Sequence, residues 1–197
     1  MMEYIRPKTY CEKWPDGCLV CDLELCDGKK ETAKMRLEKE YLHETTGVII
    51  CGFPGVGKST VAANRTDIVD AESSGFSHPF NPETGQQEAD PKFPLNYVEH
   101  LKQLASRLGG YQYVLASCHK EVRDELEKQE IPFVVVVPSC GCKDEYMARY
   151  LKRGDSAEFI GNVYIHWQEW LDEIESRHQP VIHLTWRETL ADILPKP

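Results

Sequence analysis

The stretch CGFPGVGKST, Cys51 to Thr60, narrows most sharply what this chain can fold into. It meets the pattern G-x-x-x-x-G-K-[ST] at every specified position. In such a loop successive backbone N–H groups turn inward, and the following helix adds the positive end of its dipole, so an anion of phosphate size is stabilised there. Gly52, Gly55 and Gly57 keep side chains out of the cradle, Val56 lies within it, and Thr60 supports the turn into the helix. Lys58 is placed to reach the β and γ phosphates of a nucleoside triphosphate, and the Ser59 hydroxyl to ligate Mg²⁺. The loop works only between a strand and a helix. GVIIC, from Gly47, is a short apolar run before it, and Lys58 to Arg65 begins a helix after it.

The remainder repeats that alternation. Ile68 to Asp70 reads as a second buried strand that delivers polar residues at its end. Residues 77 to 94 hold four prolines and little periodicity, which predicts a long functional loop. LNYVEHLKQLASRL, residues 95 to 108, places apolar residues at 95, 98, 101, 104, 105 and 108 on one continuous helical face, ended by Gly109 and Gly110. YQYVLAS predicts a third strand and HKEVRDELEKQ the helix after it. IPFVVVVPS, with four successive valines, suits a strand buried on both faces. KDEYMARYLKRG and NVYIHWQEWLDEIESR predict two helices, PVIHLT a fifth strand, and WRETLADIL a terminal helix. Strands alternating with helices imply right-handed crossovers and a parallel, three-layer α/β fold with five strands.

A length of 197 residues suits one well-filled core with a small appendage. Residues 1 to 45 differ in texture from 46 to 197. Four of the eight cysteines, Cys11, Cys18, Cys21 and Cys26, fall among prolines and glycines there, and Lys29 to about His43 reads as an exposed connector helix. Four thiolates in a turn-rich segment suffice for a tetrahedral structural Zn²⁺, and packing thiols, disulfides or a redox cluster are the alternatives, because the segment holds a single CxxC. Cys140-Gly141-Cys142 offers a substitute ligand. The opening residues are too polar for the apolar middle of a secretory signal, and no run approaches the length of a membrane span, so a cytoplasmic protein with no membrane partner is expected. A net charge of −9 opposes broad attachment to nucleic acid, although a local basic groove for DNA stays open.

Proteins that use this loop as a hydrolytic switch carry an acidic residue at the end of a further apolar strand. Here the third strand ends Ala116-Ser117-Cys118-His119, without a carboxylate, and the nearest candidates are Asp70 and Glu72. A carboxylate facing an acceptor hydroxyl can take its proton or organise the metal's waters, which favours transfer over hydrolysis.

CGFPGVGKST, IVDAESS, LASCHKEVRDEL and the helix bearing Arg149 and Arg153 together resemble the small P-loop kinases that include gluconate, shikimate and adenylate kinases, and also phage-type nucleotide kinases. The resemblance spans about residues 46 to 195 and implies an ATP- and Mg-dependent P-loop kinase domain over 46 to 197. It implies Asp70 as base or metal organiser, Lys120 and Arg123 near the transferred or acceptor phosphate, and Arg149 with Arg153 as a closing clamp. Glu72, Ser73 and Ser74 would meet the acceptor. That acceptor is expected to be a small nucleoside-like or nucleotide-like molecule. A modified base, such as a hydroxymethylpyrimidine, or a terminus in DNA is one alternative, and an NTPase or nucleotide-binding regulator without an acceptor is another.

Overall fold

The computed structural model describes residues 47–177 and 179–196. The cysteines at 11 to 26 and the stretch from Lys29 to about His43 expected to form a connector helix lie outside the described residues.

Five strands form one parallel sheet: β1 (Val48–Gly52), β2 (Ile68–Asp70), β5 (Tyr113–Ser117), β6 (Phe133–Pro138) and β7 (Val181–Leu184), in the spatial order β2-β5-β1-β6-β7. Position in the sheet follows from side-chain chemistry. The continuous apolar runs VIICG and FVVVVP are buried at every residue and lie inside, whereas β7 alternates half-buried and buried residues at one edge and β2 is a short strand at the other. The register pairs Val48 with Tyr113 and Ile49 with Phe133.

The helices between the strands are α1 (Lys58–Ala62), α2 (Ser74–Ser77), α3 (Leu95–Ala105), α4 (Lys120–Lys128), α5 (Lys143–Arg153), α6 (Ala157–Glu175) and α7 (Leu190–Ile193). They flank the sheet and pack in pairs, α1 with α7, α3 with α4 and α5 with α6. The result is an α/β fold on a five-stranded parallel sheet. No helix among the described residues is long and apolar enough to cross a membrane.

Several local expectations change. The stretch 77 to 94 contains a two-stranded antiparallel hairpin, β3 (Phe80–Asn81) with β4 (Gln86–Gln87), turned at Gly85 with φ 70°. Helix α3 ends at Ala105, so Leu108 is fully exposed and leaves the apolar face, and Leu95 is exposed at the other end. Helix α6 starts at Ala157, not near residue 162, because the Ser156 hydroxyl accepts from the Phe159 N–H at 3.1 Å and caps it. The terminal helix is confined to Leu190–Ile193. Thr189 and Asp192 form a reciprocal capping box there, which holds Trp186 to Glu188 in the turn before it.

Helices α4 and α6 are braced by charge. Arg123 is 2% exposed, and its guanidinium donates to Glu173 and to the Cys118 carbonyl. Arg177 adds bonds to Glu173, Asp124 and Glu127. A hollow of about 800 Å³ at the amino-terminal edge of the sheet, lined by Asp124, Glu127, Phe133 and Pro180, opens beside this network. Burial would raise the Glu173 carboxyl, but the hydrogen bonds from Arg123 and Arg177 outweigh it and hold the group below the usual carboxylate range. Its stabilising contribution is therefore present above the unfolded carboxylate range and is lost as pH falls through the depressed folded value. Glu173→Gln leaves the buried Arg123 without its counter-charge. Because Glu173 is itself partly exposed, the expected cost is about 2 kcal/mol, less than for a fully buried pair. That is a fall in Tm of roughly 4–8 °C at neutral pH by calorimetry, shrinking towards low pH.

Candidate functional site

All five strands run parallel, so their carboxyl ends share one edge of the sheet. From β1 the chain travels past β5 to reach β2, and from β5 it crosses back over β1 to β6. Such a reversal opens a crevice beyond the strand ends, where ligands of open α/β sheets bind. Four segments meet there: the loop 53–57 after β1, Ala71 to Ser73 after β2, Cys118 and His119 after β5, and Thr185 to Thr189 after β7.

The loop is held from outside by its carbonyls. The Tyr150 hydroxyl donates to the Pro54 carbonyl at 2.8 Å, Arg149 reaches the Gly55 carbonyl at 3.5 Å, and the Leu190 N–H donates to the Val56 carbonyl at 2.9 Å. A peptide plane points its C=O and the next N–H in opposite directions, so the Gly55 and Gly57 amides face the interior of the loop. Gly55 and Gly57 have φ of 80° and 97°, in the left-handed region that side chains disfavour. A Cβ on Gly52 would come within 3.0 Å of Lys58 Cδ and of Val56 Cγ2. The absence of that atom lets the lysine fold back across the loop, where its ammonium donates to the Gly52 carbonyl at 2.8 Å.

Burial lowers the Lys58 pKa, and the nearby carboxylates of Asp70 and Glu72 oppose that fall. Ser59, at the second position of α1, donates to Asp70 Oδ2 at 2.6 Å and ties β2 to the loop. The other oxygen, Asp70 Oδ1, is buried and has no hydrogen-bond partner. Hard oxygen donors and an orphaned carboxylate oxygen beside a phosphate-sized cradle fit a Mg²⁺–phosphate group. Thr60 is exposed on the first turn of α1. Among the described residues there is no group of three or more His, Cys, Asp or Glu side chains that could hold a metal ion, and Cys140 and Cys142 are buried in the core.

The remaining residues singled out in the sequence fall into two groups. Glu72 and Ser74 are exposed beside the crevice, while Ser73 is 2% exposed and its hydroxyl accepts from Ser117 at 2.5 Å. Arg149 stands at the loop, stacked 4.6 Å from the Tyr146 ring centre and donating to the Trp186 carbonyl. Arg153, one turn on, is exposed and held by Asp155. Lys120, first in α4, pairs with Asp124 at 2.7 Å, and Arg123 is taken up by the interhelical brace.

The structure also brings in groups with no sequence motif. The Tyr97 hydroxyl donates to the Ala71 carbonyl and accepts from the Ser117 N–H at 3.1 Å, locking the ends of β2 and β5 together. Burial raises its pKa, so the phenol stays protonated. Phe53, Trp167, Tyr146, Tyr150 and Phe159 form a chain of edge-to-face rings beneath the loop. Trp167 also donates to the Cys140 carbonyl at 3.0 Å. Two thiols lie close by. Burial pushes Cys51 well up and Cys118 to about 11, which keeps both protonated and poor nucleophiles at neutral pH.

In comparisons with known proteins, no family model and no curated protein matches this chain.

The Tyr150 hydroxyl is the one atom of the ring chain bonded to a loop carbonyl. Tyr150→Phe keeps the packing and removes that bond, for an expected loss of about 1 kcal/mol. A fall in Tm of roughly 2–4 °C in thermal unfolding is the expected reading. An unchanged Tm would show that the loop does not depend on this bond.

Proposed function

We propose that this chain is a Mg²⁺- and ATP-dependent phosphotransferase with a three-layer P-loop kinase fold, which phosphorylates a small nucleoside-like or nucleotide-like acceptor. The observation that carries the reading is Asp70: one carboxylate oxygen bonds Ser59 of the loop, and the other is buried and unpartnered at the crevice. The resemblance of the loop, IVDAESS and LASCHKEVRDEL to small P-loop kinases supports it.

In this reading the amides of Gly55 and Gly57 and the Lys58 ammonium bind the β and γ phosphates, exchanging the present Lys58 bond to the Gly52 carbonyl for a stronger charge-assisted one. Ser59 would hold the magnesium, with Asp70 Oδ2 hydrogen-bonded beside it, and the ion when bound would neutralise charge on the phosphate oxygens. Asp70 Oδ1 takes the proton of the attacking hydroxyl. Arg149, stacked on the Tyr146 ring and reaching the Gly55 carbonyl, adds positive charge where it develops during transfer.

The test is transfer of label from γ-labelled ATP to nucleosides, nucleotides, sugars and hydroxymethylated DNA. Label on a small molecule supports the proposal, label on DNA moves the acceptor to a modified base, and release of free phosphate alone points to an NTPase. Lys58→Ala is expected to abolish transfer. Asp70→Asn should lower kcat by about 10²-fold or more, the range of a lost general base, with ATP affinity largely kept; unchanged turnover would remove Asp70 from the mechanism.

The lowered pKa of Lys58 adds a pH signature. A bound triphosphate stabilises the ammonium, so the complex holds that proton more firmly than the free protein. ATP affinity should therefore fall as pH rises through the free protein's Lys58 value, by up to tenfold per pH unit, beginning below the pH of about 10.4 at which an unperturbed lysine titrates. Calorimetric titration across alkaline pH reads it.

A further inference from the structure

Resting on the phosphotransferase reading, the charge on the acceptor side of the crevice narrows the acceptor class. That side is built from Asp70 to Ser73, from Ser117 to His119, and from the segment that leads into α3. It is rich in carboxylates. Asp70 Oδ1 is buried and unpartnered, and two residues on, the exposed Glu72 is held at the strand end by the Ser73 N–H, which donates to its Oε1 at 3.1 Å. Half-buried rings of Phe76 and Phe93 pack in the same segments. Phe93 lies edge-on to His119 at 6.4 Å, and Phe76 packs at 5.3 Å from Tyr97 and 4.9 Å from His100.

Among the described residues, cations are scarce on the same side. No arginine occurs between Arg65 and Arg107, and the lysines in that interval are Lys92 and Lys102. Lys102 pairs with Glu99 at 2.8 Å on the outer face of α3, and Lys92 sits on an exposed turn next to Asp90. Arg65 is held by Asp67 and the Pro195 carbonyl. Lys120 is held by Asp124, and Arg123 by Glu173.

An anionic group on an acceptor needs a cation or several oriented donors to replace its water. On this side it would instead meet Asp70 and Glu72, and like charges within a few ångströms repel. We infer that the acceptor is a ring-bearing molecule with a free hydroxyl and no phosphate or carboxylate of its own, and that Asp70 and Glu72 reject anionic acceptors. In the step itself the hydroxyl oxygen forms the new O–P bond to the γ phosphorus. The bond between that phosphorus and the β–γ bridging oxygen breaks, its electron pair leaves on ADP, and the hydroxyl proton passes to Asp70 Oδ1.

The full-length protein with Mg²⁺ and γ-labelled ATP is assayed against matched pairs: thymidine and thymidine 5′-monophosphate, cytidine and cytidine 5′-monophosphate, pyridoxine and pyridoxine 5′-phosphate. Transfer to at least one uncharged member is expected, with kcat/KM at least tenfold above its phosphorylated twin. Glu72→Arg should shrink that ratio at least tenfold by admitting the twin. Equal or greater transfer to a phosphorylated member overturns the inference, as does a ratio indifferent to Glu72→Arg or an absence of transfer to every uncharged member. Calorimetry with Mg²⁺ and ATP on the same preparation separates the two levels. Retained ATP binding with any of those outcomes sinks the acceptor assignment alone, and absent ATP binding removes the phosphotransferase reading beneath it.

Discussion

The site depends on a loop three of whose carbonyls are held by donors from elsewhere in the fold. Three donors from two helices, the Arg149 guanidinium and the Tyr150 hydroxyl of α5 and the Leu190 N–H of α7, hold the Gly55, Pro54 and Val56 carbonyls. The Gly55 and Gly57 amides are therefore held in one orientation. In the proposed reading, preorganised dipoles of this kind would need no rearrangement to meet a charged group. The glycines permit this geometry and the outer donors maintain it. Neither suffices alone, because a glycine-rich turn without those partners has many other conformations.

The outer donors are themselves fixed by hydrophobic packing. Tyr146 and Tyr150 lie on the face of α5 that meets Phe53 and Trp167, so the helix that bolts the loop also completes the core. On the other flank the Tyr97 hydroxyl joins the ends of β2 and β5, the strands that end in Asp70 and Ser117. Burial of the rings and the placing of the polar atoms are parts of one arrangement.

Much of this was legible in the sequence, and the failures share a cause. The loop and its flanking strand and helix are local, as are the valine run of β6 and the alternation of strands with helices, so pattern and spacing reveal them. The order β2-β5-β1-β6-β7 is a property of the assembled sheet, and nothing in the chain near β5 announces that it lies between β1 and β2. Arg123 illustrates the limit at a side chain. Its neighbours in sequence suggest a phosphate contact, but its partner is Glu173, 50 residues away, and only folding brings that carboxylate to it. Tyr97 is similar, since a tyrosine on an apolar helical face reads as packing until its hydroxyl is seen between two strand ends. Ser156 and the Thr189–Asp192 box, by contrast, are local signals that define where α6 and α7 begin.

The shortness of the outermost strands bears on how the molecule behaves beside its own copies. Within the described residues β2 runs for three residues and β7 for four, so the sheet offers a neighbouring chain few unpaired amides and carbonyls to continue the ladder. Ribbon-like growth by strand addition needs a long, flat rim, and a parallel sheet with such clipped borders denies it a template.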